Sequence, residues 1–167
     1  MKEQIKQLRV KIDGLSQLTK ELRSNKNSSN WRAFHTRETE KCYDSLLLAK
    51  AWLGKVLEEL GEPTPYANDG NRKTVEDIEP AADKAKEVTD YPIAPDNWGE
   101  GPVTASHIEK VDWLRQEIEK IQKEAHNIQD CGTPISGLLA WNFVYQNLFQ
   151  ARFWLGFELQ RVKESEN

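Results

Sequence analysis

Sulfur-containing residues are scarce in this chain, which has two cysteines and one methionine among 167 residues. Cys42 and Cys131 do not form a Cys-x-x-Cys pair, and no cluster of histidines accompanies them. Zinc ligands are usually grouped at such short spacings, so the sequence gives no support for a zinc site. We expect two thiols in a reducing cytosol, with a single disulfide as the alternative.

The chain also lacks long apolar runs and a surplus of basic residues. No run reaches the length of a membrane span, and the first residues carry no apolar signal core. The net charge is -4, whereas binding to bulk nucleic acid depends on many lysines and arginines. We therefore expect a cytoplasmic protein that binds neither a membrane nor bulk nucleic acid.

Familiar catalytic signatures are missing as well. There is no glycine-rich dinucleotide motif, P-loop or His-Glu-x-x-His pair. All-helical nucleotide hydrolases need a cluster of inward carboxylates to hold magnesium, and the acidic residues of the first and third helices predicted below mostly neighbour a lysine or arginine, as on a surface. We predict that the protein is not an enzyme and has no cofactor.

What the chain does contain is a repeat. The segment Tyr43–Leu57 returns as Tyr145–Leu159 at an offset of 102 residues without a gap. Seven positions are identical, including the Trp-Leu-Gly core, and a basic residue precedes the Trp by two positions in both copies: Lys50 and Arg152. A rare residue such as tryptophan repeated in the same frame with its neighbours indicates an internal duplication.

Helical periodicity surrounds each copy. Apolar residues spaced by three and four predict a helix over 3–23, and a similar stripe at an offset of 106 predicts one that begins near Thr104. Leu-Arg recurs on these two helices, as Leu8-Arg9 and Leu114-Arg115. The repeated segments predict the partner helices, from an N-cap at Thr36 to a C-cap at Gly61 and over about 135–163.

The predicted fold is all-α, with two homologous antiparallel helical hairpins packed as a four-helix bundle. The hairpins occupy residues 1–61 and 103–167. A Pro/Gly-rich insert or arm over residues 62–102 joins them. Neither hairpin can bury its stripe alone, so pairing of hairpins between chains is the alternative.

The repeat also supplies the candidate ligand-binding residues. Glycine inside a helix is costly, so Gly54 and Gly156 indicate either a close helix crossing or a flat group lying against the backbone. Trp52 and Trp154 beside a cation suit a nucleotide, because indoles stack on bases and Lys or Arg contacts phosphate. On spacing alone, the competing interpretation is favoured: core tryptophans, close-packed glycines and solvated cations.

Several polar residues outside the repeat are further candidates. A loop carrying Tyr66, Asn71, Arg72 and Lys73 has groups that can grip a phosphate or ribose, although an ordinary solvated turn has the same composition. The histidines His107 and His126 stand alone on a charged helix, and we expect both to be exposed.

The segment Leu48–Gly61 resembles the helical hairpin domain of phage anti-CBASS and anti-Thoeris sponge proteins, which carry a similar Trp-Leu-Gly segment on their second helix. The resemblance covers about fifteen residues in each half of the chain. It implies oligomers that bind cyclic nucleotide immune signals between subunits without cleaving them. It carries over to Lys50, Trp52, Leu53 and Gly54 and to their counterparts, but the tandem duplication and the insert depart from the family.

The leading hypothesis is therefore a non-catalytic, homo-oligomeric sponge for a cyclic nucleotide or ADP-ribose derivative, in the host cytosol if the protein is phage-encoded. A structural or oligomerisation module without a small ligand is the alternative. A nucleotide hydrolase comes third.

Overall fold

The computed structural model describes residues 1–23, 36–62, 105–130 and 138–165. These ranges contain four α-helices and no strand: α1 (Lys2–Arg23), α2 (Arg37–Glu59), α3 (Ala105–Asp130) and α4 (Leu139–Ser165). The predicted all-α class is confirmed. The helix α4 starts at Leu139, a few residues later than the periodicity predicts, and Leu138 lies outside the helix.

The four helices pack around one core. The most extensive contact joins α2 to α4, while α1 lies against α2, α3 lies against α4, and α1 also touches α3. These four contacts close a ring, which is the arrangement of a four-helix bundle. Contacts at the helix ends show that α2 runs antiparallel to both α1 and α4. Lys6, near the start of α1, pairs with Glu62 beyond the end of α2, and Thr36, just before α2, bonds Glu158 late in α4.

The predicted stripes form the core. The apolar positions predicted on α1 and α3 are all buried: Ile5, Leu8, Ile12, Leu15 and Leu22 on α1, and Val111, Leu114, Ile118, Ile121, Ala125 and Ile128 on α3. The repeat predicts one further apolar face on each partner helix, and these residues are buried too: Leu46, Ala49, Leu53 and Leu57 on α2, and Leu148, Ala151, Leu155 and Leu159 on α4. The largest fully buried side chain is Trp141, which lies in the first turn of α4. Burial of these stripes stabilises the bundle by roughly 1.5–3 kcal/mol for each large apolar side chain.

The predicted N-cap of α2, Thr36, is confirmed, whereas the C-cap is Leu60 and the predicted Gly61 follows it by one residue. The hydroxyl of Thr36 accepts from the Thr39 backbone N–H at 3.2 Å, and the Thr39 hydroxyl accepts from the Thr36 N–H at the same distance. At the other end, Gly61 has a φ of 83°, and the backbone N–H groups of Gly61 and Glu62 bond the carbonyls of Glu58 and Leu57. This is a Schellman termination, which favours glycine.

Two other expectations concern the thiols and the membrane. Cys42 is a buried free thiol, and burial raises its pKa well above the ordinary range. Cys131 lies outside the described residues, as do residues 63–104, on which most of the predicted insert falls. None of the helices in the described ranges has the length and apolar character that crossing a bilayer requires.

Candidate functional site

The two repeated cations lie in ion pairs between helices. Lys50 on α2 pairs with Asp13 on α1 at 2.5 Å, and Arg152 on α4 pairs with Glu119 on α3 at 2.9 Å. Asp13 and Glu119 are separated by the offset of 106 that relates the stripes of α1 and α3. The pairs therefore occupy corresponding positions in the two copies, and each cation is partly exposed and also bound to a carboxylate of the neighbouring helix.

Lys50 and Asp13 are partly screened from water, with 25% and 17% of their side-chain surfaces exposed. We expect a double-mutant cycle of Lys50→Met and Asp13→Asn to give a coupling of about 1 kcal/mol in urea unfolding. The exposed pair of Lys55 with Glu58 on the same helix is the control, with an expected coupling of about 0.3–0.5 kcal/mol. Equal couplings at the two pairs would contradict the prediction.

Glu119 lies on the surface of α3 among three basic residues. Hydrogen bonding from Lys123 holds the pKa of the Glu119 carboxyl below its usual value, and the charges of Arg152, Lys123 and Arg115 act in the same direction. Glu119 is therefore ionised at neutral pH and offsets part of the positive charge of its neighbours.

The two repeated tryptophans are half-buried against the core and lie in different places. Trp52 stacks on Phe143 near the start of α4, with ring centroids 4.6 Å apart. Trp154 lies 5.8 Å from the Arg37 guanidinium, near the start of α2. Phe143 and Trp154 are ~16 Å apart along α4 at ~1.5 Å per residue, so the two indoles do not share one pocket.

The two repeated glycines lie inside helices, and Gly54 on α2 is buried. At Gly156, an added Cβ atom would lie 3.9 Å from Nε of Arg115 on α3, which is an ordinary van der Waals distance. The arginine side chain therefore crosses α4 beside the glycine, at a position that would also accept a Cβ atom. In this hairpin the close neighbour of the glycine is therefore an arginine side chain.

Beside this crossing lies a groove, which we call the α3–α4 groove, with a volume of about 350 Å³. Its walls combine cationic, acidic and apolar groups: Arg115, Gly156, Leu159, Gln160, Lys163 and Glu164. Nε of Arg115 is buried and has no hydrogen-bond partner within the described residues. The groove therefore places the Nε donor of Arg115 near the side chain of Lys163 and an apolar wall.

The other predicted ligand residues cannot be placed in this groove. Tyr66, Asn71, Arg72 and Lys73 lie outside the described residues. Gly156 lines the groove, whereas Arg152 and Trp154 do not. Sequence reasoning missed Arg115 and Lys163, although the recurrence of Leu-Arg on α1 and α3 marked Arg115 as a repeated position.

A buried polar cluster joins three parts of the bundle around Glu158, whose side chain is fully buried. Its carboxylate lies 2.9 Å from Nε2 of His107 and accepts from the Thr36 hydroxyl at 3.0 Å. The Arg161 guanidinium donates to both carboxylate oxygens, at 2.7 and 3.0 Å. The expectation that His107 is exposed is wrong, because this residue is also fully buried.

The charge state of this cluster follows from its donors. Burial alone raises the pKa of Glu158, but hydrogen bonds from His107, Arg161 and Thr36 and the charge of Arg161 outweigh it and lower the pKa to about 2. An ionised carboxylate only accepts hydrogen bonds, so Nε2 of His107 must carry the proton in this contact. The carboxylate also lies at the N-terminus of α2, where negative charge is favourable.

Across the described ranges, no group of three or more His, Cys, Asp or Glu side chains is placed to hold a metal ion. Comparisons of this chain with protein-family models, with curated proteins and with solved structures gave no match.

Proposed function

We propose that this chain binds and sequesters a phosphate-bearing small molecule without cleaving it, and that the α3–α4 groove contacts the phosphate. The observation that carries the proposal is the crossing of Arg115 over Gly156, with Lys163 lining the same groove. The ligand class is the one that the sponge resemblance implies, a cyclic nucleotide or an ADP-ribose derivative. We also propose that the protein acts in the cytosol.

The proposal includes an origin of the bundle by duplication of one hairpin. It is supported by the repeat of Tyr43–Leu57 and by the ion pairs of Lys50 and Arg152 at corresponding positions. In this view the hairpins over residues 1–61 and 103–167 are homologous, and the proline-rich stretch 62–102 is an insert between them.

The chemistry of the groove suits a phosphate. A guanidinium presents several N–H donors in a fixed plane that match phosphate oxygens, and a lysine adds a point charge. Gly156 has no side chain to fill the space beside Arg115, and Leu159 supplies an apolar wall for a base or ribose. The groove is shallow and open to solvent, so it can contact one side of a ligand but does not enclose it.

The first hairpin offers a weaker counterpart of this groove. Arg9 and Gly54 correspond to Arg115 and Gly156, but Gly61 stands at the position that corresponds to Lys163. Glu62, which corresponds to Glu164, is held by Lys2 and Lys6 at 3.3 and 2.9 Å. We therefore expect one binding site for each chain, in the second hairpin.

A ligand panel tests the proposal. Cyclic dinucleotides, cyclic trinucleotides and ADP-ribose derivatives are added to the full chain, and thermal unfolding is followed. A true ligand at a hundred times its dissociation constant stabilises the protein by about 2.7 kcal/mol. We expect Arg115→Ala to abolish most of this stabilisation, whereas Arg9→Ala, the matched control, leaves most of it. An equal loss in both variants would contradict the assignment of the site.

A structural or oligomerisation module is the second candidate. It is favoured by the observation that Lys50 and Arg152 are held in ion pairs while Trp52 and Trp154 pack against the core. The absence of stabilisation by any ligand of the panel would support this candidate and reject sequestration. Recovery of a cleaved ligand after heat denaturation would instead support the third candidate, a nucleotide hydrolase.

A further inference from the structure

We propose that one face of α4 is the surface through which two copies of this chain form a dimer. This aromatic face consists of Tyr145, Phe149, Phe153 and Phe157, which recur every four residues and are 39–58% exposed. Phe149 stacks on Phe153 at 6.4 Å, and Phe157 meets Phe153 edge-on at 4.7 Å. The rings form a continuous ridge along the helix. The inference is independent of the proposed ligand.

The aromatic face carries no charge, although 30% of the residues of the chain are charged. No Asp, Glu, Lys or Arg occurs from Cys131 to Ala151 or from Phe153 to Phe157. The single cation between these segments, Arg152, is paired with Glu119 of α3. Aromatic side chains of this exposure are typical of binding surfaces rather than of the free surface of a monomer.

The lack of charge favours a second copy as the occupant. Each chain carries a net charge of -4, so two copies repel one another unless they meet through a neutral surface. A nucleic acid strand or an anionic membrane would gain contacts from Lys and Arg beside the aromatic rings, but Gln146 and Gln150 stand there instead.

The face carries a shallow groove as well as a ridge. A groove of about 340 Å³ runs beside the ridge, lined by Tyr145, Gln146, Phe149, Gln150 and Phe153. Rows of side chains spaced by four residues pack into the matching grooves of a second helix in the commonest class of helix pair. The ridge of one copy can therefore enter the groove of the other and receive its ridge in return, as a two-fold interface requires.

The aromatic rings supply about half of the area that a stable dimer interface needs. Four half-exposed aromatic rings present about 400 Å² of surface, if each full side chain buries roughly 200 Å². A stable interface needs about 800 Å² from each partner, much of it at a polar rim. The exposed Leu139, Gln146 and Gln150 lie on the same helix and extend the patch.

The corresponding face of α2 differs at three of its four positions. Leu47, Ala51 and Lys55 stand where α4 has Phe149, Phe153 and Phe157. Only the second copy of the repeat therefore presents a continuous aromatic ridge. If this is the self-associating surface, a single one among the described helices produces a closed dimer rather than an open polymer.

Sedimentation of the full chain over a micromolar concentration series tests the inference. We expect the wild type to approach twice its 19.3 kDa mass. The double variant Phe149→Gln/Phe153→Gln should stay at the monomer mass, because each central aromatic contributes roughly 30-fold to such affinities. Leu48→Gln, which alters an exposed leucine of α2, is the control and should leave the dimer intact.

A second variant and a series of salt concentrations test whether the interface is formed by the uncharged aromatic face. Phe149→Lys places like charges across the two-fold axis and should also give monomers, with the helical circular dichroism of the wild type. A neutral interface should not weaken as ionic strength rises. A monomeric wild type, a dimer that survives both variants, or an association that high salt dissolves would overturn the inference.

Discussion

Replacing Glu158 with alanine is expected to lower the free energy of unfolding by about 3–5 kcal/mol, the usual effect of removing one partner of a buried charged pair. The carboxylate is fully buried and bonded by His107, Thr36 and Arg161, so its loss removes an acceptor from three donors at once. Thr36 is the N-cap of α2, and the deletion therefore also weakens the start of that helix.

Chemical denaturation followed by circular dichroism measures the effect. Glu164→Ala is the matched control, since Glu164 is an exposed glutamate on the same helix that accepts a hydrogen bond from the exposed Gln160. We expect the control to change the unfolding free energy by less than about 0.5 kcal/mol. A loss at Glu158 as small as that at Glu164 would mean that the cluster does not hold the three helices together.

The bundle could be predicted from the chain because its core obeys helical periodicity. The stripe on α3, from Val111 to Ile128, is buried at all six predicted positions, and the capping residues Thr36 and Gly61 end α2 as their chemistry requires. The start of α4 was less predictable, since Ile135 continues the apolar pattern although Leu138 is not yet helical. Periodicity defines a buried face better than it defines an end.

The polar contacts across the bundle were harder to predict. His107 lies four residues before Val111, on the same stripe, and Glu158 lies three residues after Leu155 on the stripe of α4. The spacing of His107 and Glu158 therefore predicts that both are buried. It does not predict that they contact each other, because periodicity within one helix does not define the axial position of the neighbouring helix. Arg115 was hidden for the same reason, since only the packed helices bring it to Gly156.

The two copies of the repeat share a scaffold and differ in the groups added to it. The ion pairs of Lys50 and Arg152 are common to both hairpins, whereas Val56 occupies the position that corresponds to Glu158. The second hairpin also has Lys163 and the aromatic face of α4. We infer that the first hairpin mainly completes the core, while the second carries the proposed binding and dimer surfaces.

Acid should destabilise this protein through Glu158, and Glu158→Gln should remove that part of the pH dependence. The pKa of Glu158 is about 2 in the folded chain, against 4.5 for an ordinary glutamate. Between these values the unfolded chain binds more protons, so stability rises with pH there. The contribution is complete above about pH 5, is lost as pH falls toward 2, and amounts to about 3 kcal/mol.

The measurement is the difference in unfolding free energy between the wild type and Glu158→Gln, taken by urea denaturation from pH 2 to pH 6. Other carboxylates with lowered pKa values, such as Glu62 and Glu119, titrate in both proteins and cancel in the difference. Glutamine keeps the size of the side chain but cannot ionise, so the difference isolates the charge. A difference that stays constant across this range would show that His107 and Arg161 do not stabilise an ionised carboxylate in the folded state.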